Sequence, residues 1–317
     1  MFKTIQASQG YRIKTVSDLT GLSTHVIRKW EERYLLLTPI REHNGYRQYS
    51  EDDIQLLMYL QWQISNGETI GQLANIGVTQ LQQAMNEGPI DMPSLPPEFQ
   101  PSALTTITAA RRLDRKATES SVHTLVNQLG IEDSLYRVLF PVLKTIGDLW
   151  HQGRFSMTGE HLVTQAIRHQ LASSLRRSHH IKNPTAILAC APDNFHEIGA
   201  MTAAMHLQNN GWNPVYLGVN SDIDLIRLAC ERRQGRLIVL STVLEQPEKE
   251  FTSMIHKIKK KLLCLCPVLI GGQGALKFLS FLEEQGIMYV EHVHQLQTLR
   301  PSSLHSNLDI HNNTTTS

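Results

Sequence analysis

The pattern of hydrophobic and polar positions divides the chain into regions of different period. Residues 11 to about 87 carry short helical patterns around one turn-rich insert, REHNGYRQY. Residues 88–101 contain five prolines and no periodic pattern, which is typical of a linker. From residue 102 to 182 apolar side chains recur largely at i, i+3 and i+4, which predicts helices, with a kink at Pro141.

From residue 183 the pattern changes to short apolar runs that alternate with amphipathic segments. The runs are TAILAC, PVYLG, RLIVLST, LCPVLIGG and IMYV. Short apolar runs separated by helices predict a doubly wound parallel sheet with helices on both faces. Five strands fit the flavodoxin-like order, which places a ligand crevice at the carboxyl ends of the strands.

Composition excludes few functions but sets the context. With 317 residues, 41% hydrophobic and 19% charged, the chain is an ordinary globular protein long enough for two or three domains. A net charge of +1 favours neither nucleic acid nor membrane over the whole chain. The four cysteines include no C-x-x-C pair, so we expect buried free thiols. No apolar run of membrane length appears, and we expect a cytoplasmic protein with no membrane contact.

The N-terminal pattern predicts a helix-turn-helix. Gly21 fits the tight turn and Ser23 the N-cap of a second helix, STHVIRKWEERY. Its apolar face holds Val26, Ile27, Trp30 and Tyr34. The other face offers what a recognition helix needs for base edges and phosphates, namely Thr24, His25, Arg28, Lys29 and Arg33.

A hairpin-like insert follows this helix, and its Asn44-Gly45 pair is a strong turn signal. Arg41 and Arg47 flank the turn, where they could grip a DNA backbone. Residues 1–50 carry eight Lys or Arg against four acids, so this end of a neutral chain is basic. A small solvated helical domain with scattered charges is the alternative interpretation.

The motifs IRKWEERY and GYRQYSEDDI resemble the winged helix-turn-helix of the MerR family of transcription regulators over about the first 75 residues. The resemblance implies that residues 23–34 enter the major groove of operator DNA. It also implies phosphate contacts from the wing, by Arg41, Tyr46 and Arg47, with Tyr49 as the anchor. Dimers on a pseudo-palindrome would follow.

In the C-terminal region, NFHEIG places His196 directly after the first apolar run. A lone histidine near a helix start is more often exposed or hydrogen-bonded than a ligand. The next runs end in Gly218, in Ser241-Thr242 and in Gly271-Gly272. Together these positions predict a broad crevice, poor in side chains, with one imidazole aimed into it.

This pattern resembles the cobalamin-binding domain of methionine synthase and its relatives. The resemblance implies that His196 is the lower axial ligand of cobalt and that Gly199, Ser241, Thr242, Gly271 and Gly272 line the channel for the nucleotide tail. The family has Asp or Glu where this chain has Asn194. An asparagine can accept the imidazole hydrogen bond without charge, so we expect ligation by a less basic histidine.

In the segment WHQGRFSMTGEH, nine residues separate Trp150 from Glu160-His161. A core tryptophan and a charged helix start would explain it simply. The spacing is also similar to the signature of adenosylcobalamin-dependent light-sensing repressors of the CarH/LitR type. That resemblance implies a four-helix cap in which Trp150 packs on the adenosyl group, Glu160 binds its ribose and His161 helps hold the cap. His151 is then a candidate upper cobalt ligand after photolysis.

The expected architecture is therefore α and α/β. It comprises a winged helix-turn-helix at 1–87, a linker at 88–101, a four-helix bundle cap at 102–182, a flavodoxin-like cobalamin-binding domain at 183–300 and a disordered tail at 301–317.

The resemblances together imply a light-responsive repressor and not an enzyme. With adenosylcobalamin in the dark it would self-associate, as a dimer to tetramer, and bind operator DNA. Light would cleave the Co–C bond and release the DNA. A regulator that senses cobalamin without photochemistry is one alternative. A corrinoid carrier or a mutase subunit is another alternative, but these two kinds of protein have no use for a DNA-binding head.

Overall fold

The computed structural model describes residues 10–93, 95–176 and 183–304. The chain forms two compact units, Met1–Ile167 and Arg168–Ser317. The predicted tail lies outside the described residues from residue 305 onward, and the short helix Pro301–Leu304 occupies its start.

The N-terminal part of the first unit is a helical module with a small antiparallel sheet of order β1-β3-β2. Its elements are β1 (Tyr11–Arg12), α1 (Ile13–Thr20), α2 (Thr24–Tyr34), β2 (Ile40–Arg41), β3 (Arg47–Tyr49), α3 (Glu51–Ser65), α4 (Ile70–Ile76) and α5 (Val78–Glu87). The sequence pattern predicted the helices and the hairpin, but it did not predict β1.

The turn between α1 and α2 follows the sequence signals. Gly21 ends α1 in the left-handed conformation, with φ of 71°, which costs a glycine little. Ser23 accepts the backbone N–H of Val26 and so caps α2. Ile27 and Trp30 are buried in the module's core, so the apolar face of α2 is confirmed.

The hairpin between β2 and β3 turns at Asn44-Gly45. Gly45 has φ of 80°, and the Asn44 Oδ1 accepts the Tyr46 N–H at 3.1 Å. This Asx-type bond fixes the turn locally, as the Asn-Gly pair predicts. The fold of residues 11–87 is therefore a helix-turn-helix with one wing.

A helical bundle completes the first unit and continues into the second. Its elements are the 3₁₀ helix Pro97–Phe99, α6 (Gln100–Arg111), α7 (Arg115–Leu129), α8 (Ile131–Ser134), the π-helical stretch Leu135–Leu139, α9 (Phe140–His151) and α10 (Met157–Arg176). Pro141 lies in the first turn of α9, directly after the π-helical stretch, where a missing N–H is tolerated. The predicted linker at 88–101 is not a free tether, because Met92 and Leu95 are buried and α6 already begins within it.

The second unit contains a five-stranded parallel sheet of order β5-β4-β6-β7-β8, which is the flavodoxin-like order. Its elements are β4 (Thr185–Cys190), α11 (Ile198–Asn209), β5 (Asn213–Tyr216), α12 (Ile223–Arg233), β6 (Leu237–Ser241), α13 (Glu248–Lys261), β7 (Val268–Gly271), the 3₁₀ helix Gln273–Phe278, α14 (Leu279–Glu284), β8 (Met288–Val290) and the 3₁₀ helix Val293–Thr298.

Alternate residues of β4 face the two sides of this sheet, as the two-residue period of a strand requires. Ile187 and Ala189 pack with α12 and α13, whereas Ala186 and Leu188 pack with α11. Every residue of β4 is buried, which explains why its sequence is apolar throughout.

All four cysteines are free thiols. Three are buried as predicted, but Cys264 is exposed, so the expectation of four buried thiols is wrong for that residue. No helix among the described residues is long and apolar enough to cross a membrane.

Candidate functional site

The polar face of α2 is open to solvent. His25, Arg28, Lys29 and Arg33 are exposed, and Thr24 is half-buried near the N-terminus of the helix. The opposite face of α2 is fixed in the module's core by Ile27 and Trp30. The fold therefore presents the predicted recognition residues on a rigid helix, where cations can neutralise phosphates.

Arg47 does not have the free guanidinium that its predicted backbone contact requires. Its Nε lies 2.9 Å from both carboxylate oxygens of Glu31, and its Nη2 lies 3.5 Å from Glu32. The hydrogen bond to Glu31 is the main cause that raises the pKa of Arg47. The Arg47 side chain thus joins the wing to α2, and its phosphate contact stays a prediction.

The wing is anchored by Tyr49, as the resemblance implied. The ring is fully buried and its hydroxyl donates to Glu31 at 3.1 Å. Arg41 and Tyr46 remain exposed near the tip, and the Arg12 guanidinium lies 5.4 Å from the Tyr46 ring centroid. Of the wing residues predicted to contact the DNA backbone, Arg41 and Tyr46 are exposed.

In the second unit, the strand order reverses between β4 and β6, so the loops after these strands form the switch-point crevice of the sheet. His196 lies in the loop after β4 and its side chain is exposed. No described residue donates to or accepts from its imidazole in a hydrogen bond. The ring nitrogens of His196 are therefore available to a ligand, which is the geometry that a metal-binding histidine needs.

Asn194 is fully buried two residues before this histidine. Its Oδ1 accepts the backbone N–H groups of Val243 at 2.8 Å and Leu244 at 3.1 Å, and its Nδ2 donates to the Pro192 carbonyl. Both lone pairs of the oxygen are occupied by the loop after β6. The hydrogen bond expected between Asn194 and the His196 imidazole is accordingly not formed.

Glu197, directly after the histidine, is held from two sides. Its Oε1 lies 2.6 Å from the Arg168 Nε, and its Oε2 accepts the Tyr216 hydroxyl at 2.8 Å. Burial and the nearby Cys190 thiol raise the pKa of Tyr216, and burial raises the pKa of Cys190 to about 11. Sequence reasoning missed this network, although the position of Glu197 beside His196 was a signal.

Ser241 ends β6 within the crevice. It is half-buried, and a Cβ built on Gly199 would lie 4.0 Å from its Oγ, with no nearer neighbour. Because Gly199 has open space there, the start of α11 leaves a side-chain-free surface facing Ser241. This arrangement is consistent with the prediction that Gly199 and Ser241 line a ligand channel.

Packing within the protein explains the residue types at Thr242 and Gly272 without a ligand. Thr242 is 1% exposed, so its side chain lies below the surface that was predicted to contact a ligand. Gly272 has φ of 109°, and a Cβ there would lie 2.3 Å from the Thr242 carbonyl oxygen. Gly271 is half-buried at the end of β7, where its carbonyl accepts the Thr242 N–H at 2.8 Å. Gly272 is thus required by close approach of the two loops, whereas a Cβ on Gly271 would lie 3.0 Å from the Val290 carbonyl oxygen of β8.

The residues predicted to cover a ligand from above lie in the first unit. Trp150 and His151 form an edge-to-face ring pair with centroids 4.8 Å apart at the end of α9. Glu160 accepts the Thr164 hydroxyl at 2.7 Å, and its carboxylate lies 3.6 Å from Nδ1 of the exposed His161. Trp150 is half-buried and packs against the core of the helix-turn-helix module.

A cavity of about 740 Å³ lies elsewhere in the second unit, at the amino-terminal ends of β7 and β8. Its walls include Cys266, Val268 and Met288 and none of the predicted site residues. Since ligands of parallel sheets bind at the carboxyl ends of the strands, this cavity is not the candidate site.

Two family models match the chain. Residues 11–76 match the MerR HTH family regulatory protein, and residues 106–173 match the B12 binding domain. With the fold, these matches define a MerR-type, DNA-binding transcription regulator that carries a cobalamin-binding region.

Two curated relatives align with this chain over most of their length. The chain is 28% identical over 273 residues to the HTH-type transcriptional repressor CarH of Myxococcus xanthus. The match covers 85% of this chain and 91% of that protein. It is 27% identical over 293 residues to the repressor CarA of the same organism, covering 90% and 94% of the two chains.

Among solved structures, the monomethylamine corrinoid protein of Methanosarcina barkeri matches with a TM-score of 0.51 and 17% identity. The match covers 63% of this chain and 96% of that one. At this identity the likeness concerns the fold alone.

Proposed function

We propose that the protein is a light-responsive repressor that binds operator DNA as an adenosylcobalamin-loaded oligomer in the dark and releases the DNA in light. The observation that carries the proposal is the exposed His196 at the switch point of a B12-type fold, in a chain that also presents an exposed recognition helix. The two repressors similar to this chain support the regulatory part.

The loops that follow β4 and β6 in the second unit support corrinoid binding. His196 offers an imidazole that has no competing partner among the described residues, and Gly199 with Ser241 offers a surface free of bulky side chains. Imidazole is a good ligand for a transition metal such as cobalt. In this proposal His196 would ligate the cobalt, and Ser241 and Gly271 would line the channel for the nucleotide tail.

When bound, adenosylcobalamin supplies a Co–C bond that light cleaves. Trp150 and Glu160 are the residues of this chain that would discriminate the adenosyl group, by an apolar indole surface and a carboxylate that accepts hydroxyl hydrogen bonds. His161 would support the carboxylate, and His151 would offer an imidazole above the cobalt after photolysis. Their support is the spacing in the sequence and the accessible positions of His151 and His161.

DNA binding in this proposal is multivalent. Each head contributes one helix, α2, with three exposed cations, Arg28, Lys29 and Arg33. Joining several heads in one assembly raises operator affinity through effective concentration, without any new contact per head. Loss of the assembly then suffices to release the DNA, and no direct change at α2 is required.

The test is to load the protein with adenosylcobalamin in the dark and to compare its molecular mass and operator affinity before and after green light. We expect a smaller species and weaker binding after illumination. Unchanged mass and affinity would contradict the proposal.

Loading with methylcobalamin serves as the matched control, since this cofactor lacks the group that Trp150 and Glu160 would hold. An equal dark response to both cofactors would show that the adenosyl group is not recognised, and a dark response that light leaves unchanged would indicate a cobalamin sensor without photochemistry.

A further inference from the structure

The loop between α9 and α10 lies on the DNA-binding module, residues 11–87, which we call the head. Both belong to the first unit. We call residues 150–158 the docking segment. At its end, the Glu51 carboxylate of α3 accepts the Thr158 N–H at 2.9 Å and the Thr158 hydroxyl at 2.6 Å. Thr158 belongs to the first turn of α10, whose N–H groups have no partner within the helix. A carboxylate of the head therefore caps the bundle helix that carries Glu160 and His161.

Gly153 brings the backbone of the docking segment directly onto α3. It is buried with φ of 68°, and a Cβ there would lie 2.3 Å from both the Gln55 carbonyl oxygen and the Tyr59 backbone nitrogen. Any side chain at this position would meet backbone atoms that cannot move away without breaking α3. Glycine is thus required both by the conformation and by the contact.

Arg154 of the docking segment and Arg111 of α6 also bind the backbone where the chain leaves the head. Arg154 donates to the Pro89 carbonyl at 2.7 Å through its Nη2, and a Cβ on Gly88 would lie 2.5 Å from that nitrogen. Arg111 of α6 donates to the Asn86 carbonyl at 2.7 Å. Two bundle arginines therefore bind the carbonyls at the exit of α5.

Trp150 takes part in this contact and also in the proposed function. The half-buried indole packs against the head's core, which includes buried residues of α3. The same indole is the side chain assigned to the adenosyl group in the proposed function. One aromatic surface therefore has two candidate partners, the head and the upper ligand of a bound corrinoid.

We propose that the docking segment is an interaction surface for this chain's own DNA-binding head, and that a bulky upper ligand of cobalamin competes with the head for it. The competition part rests on the proposed function. A ligand that takes Trp150 weakens the docking of α3, and docking of α3 weakens the binding of that ligand by the same factor, because such coupling is reciprocal. The recognition face of α2 contributes no residue to the docking contacts described above. The contact thus restrains the head without covering the residues that read DNA.

The experiment compares Glu51→Ala with Asp52→Ala in the full chain. Both substitutions remove one carboxylate from the first turn of α3, but Asp52 is exposed and makes no described contact with the docking segment. Hydrogen exchange of peptides covering residues 150–160 reports docking without any cofactor. We expect faster exchange in Glu51→Ala and wild-type exchange in Asp52→Ala.

Absorbance titrations in the dark then report the competition. We expect Glu51→Ala to bind adenosylcobalamin about fivefold or more tightly than wild type, the lower end of usual coupling. Methylcobalamin, with its small upper ligand, binds both proteins equally. Gly153→Ala provides a second, independent disruption of the dock and should reproduce these shifts.

Equal exchange in Glu51→Ala and Asp52→Ala would overturn the docking surface. Equal adenosylcobalamin affinities in wild type, Glu51→Ala and Gly153→Ala would overturn the competition while leaving the proposed function intact. If wild type binds no cobalamin at all, the proposed function and the competition both fail, and the exchange comparison still decides the docking surface.

Discussion

Asn194 and Val243 join the loops that follow β4 and β6, through a 2.8 Å hydrogen bond from the Val243 N–H to the Asn194 Oδ1. Leu244 donates to the same oxygen, and the Asn220 N–H donates to the Asn194 carbonyl at 2.9 Å. One buried asparagine thus connects three loops at the carboxyl edge of the sheet. Its side chain shapes the crevice beside His196 and does not orient the imidazole.

Asn194→Ala removes the acceptor for two backbone N–H groups. Each unsatisfied buried group costs about 1–3 kcal/mol, so we expect the opening free energy of the second unit to fall by about 2–6 kcal/mol. Hydrogen exchange of β6 peptides in the full chain measures this fall. A loss below about 0.5 kcal/mol would show that water replaces the side chain without cost.

Asn194→Asp separates two possible roles of this position, namely joining the loops after β4 and β6 and orienting the His196 imidazole. A carboxylate can accept both N–H groups, so we expect a smaller loss of stability than for alanine. Because the new carboxylate would face Val243 and Leu244, the pH dependence of cobalt coordination by His196 should stay unchanged. A clear shift of that titration would mean that the aspartate reaches the imidazole instead, which is the arrangement that the family pattern alone suggests.

Arg28→Ala tests the recognition helix. Loss of one exposed cation should weaken operator binding by about 1–3 kcal/mol and reduce the slope of log K against log salt by about one if a phosphate contact is lost. Arg112→Ala is the matched control, since Arg112 is an exposed arginine of the bundle. Equal effects of the two substitutions would indicate that only net charge matters.

Arg47→Ala should act through the wing and not through phosphate. It leaves the Glu31 carboxylate, which is 13% exposed, with the Tyr49 hydroxyl as its remaining described partner. We expect a loss of about 1–3 kcal/mol in head stability, typical of hydrogen bonds to charged groups. The salt slope of operator binding should stay near that of wild type. A reduced slope with unchanged stability would restore the phosphate role.

His206 makes the stability of the second unit depend on pH. The side chain is 1% exposed, and burial followed by the charge of His294 lowers its pKa to about 4. The unfolded chain takes up this proton near pH 6.5, before the folded chain does, so stability falls as pH decreases from about 6.5 to about 4. The full effect is about 3 kcal/mol. His206→Gln should flatten this part of the curve in thermal unfolding at pH 7 and pH 4.5, and an equal slope would contradict the assignment.

Much of the fold follows from local patterns. The Asn44-Gly45 turn, the Ser23 cap and the apolar run of β4 each determine their own element, because backbone conformation and burial act over a few residues. The sequence did not predict β1, because two residues are too few to show a period. Tyr11-Arg12 forms a strand only by pairing with β3.

The candidate site was less predictable because its contacts join distant positions. His196 could be found from its place after an apolar run. The bonds from Asn194 to Val243 and from Arg47 to Glu31 could not, since each depends on how separate loops meet. The contact between Glu51 and Thr158 joins positions 107 residues apart, and no spacing rule reaches that far.

The central claim is that a cobalamin held by His196 controls DNA binding. Its most direct test is the operator affinity of wild type and His196→Ala in the dark, each with and without adenosylcobalamin. We predict that the cofactor strengthens operator binding by wild type at least tenfold and leaves that of His196→Ala unchanged. An equal response of the two proteins, or a wild-type affinity that ignores the cofactor, would contradict the account.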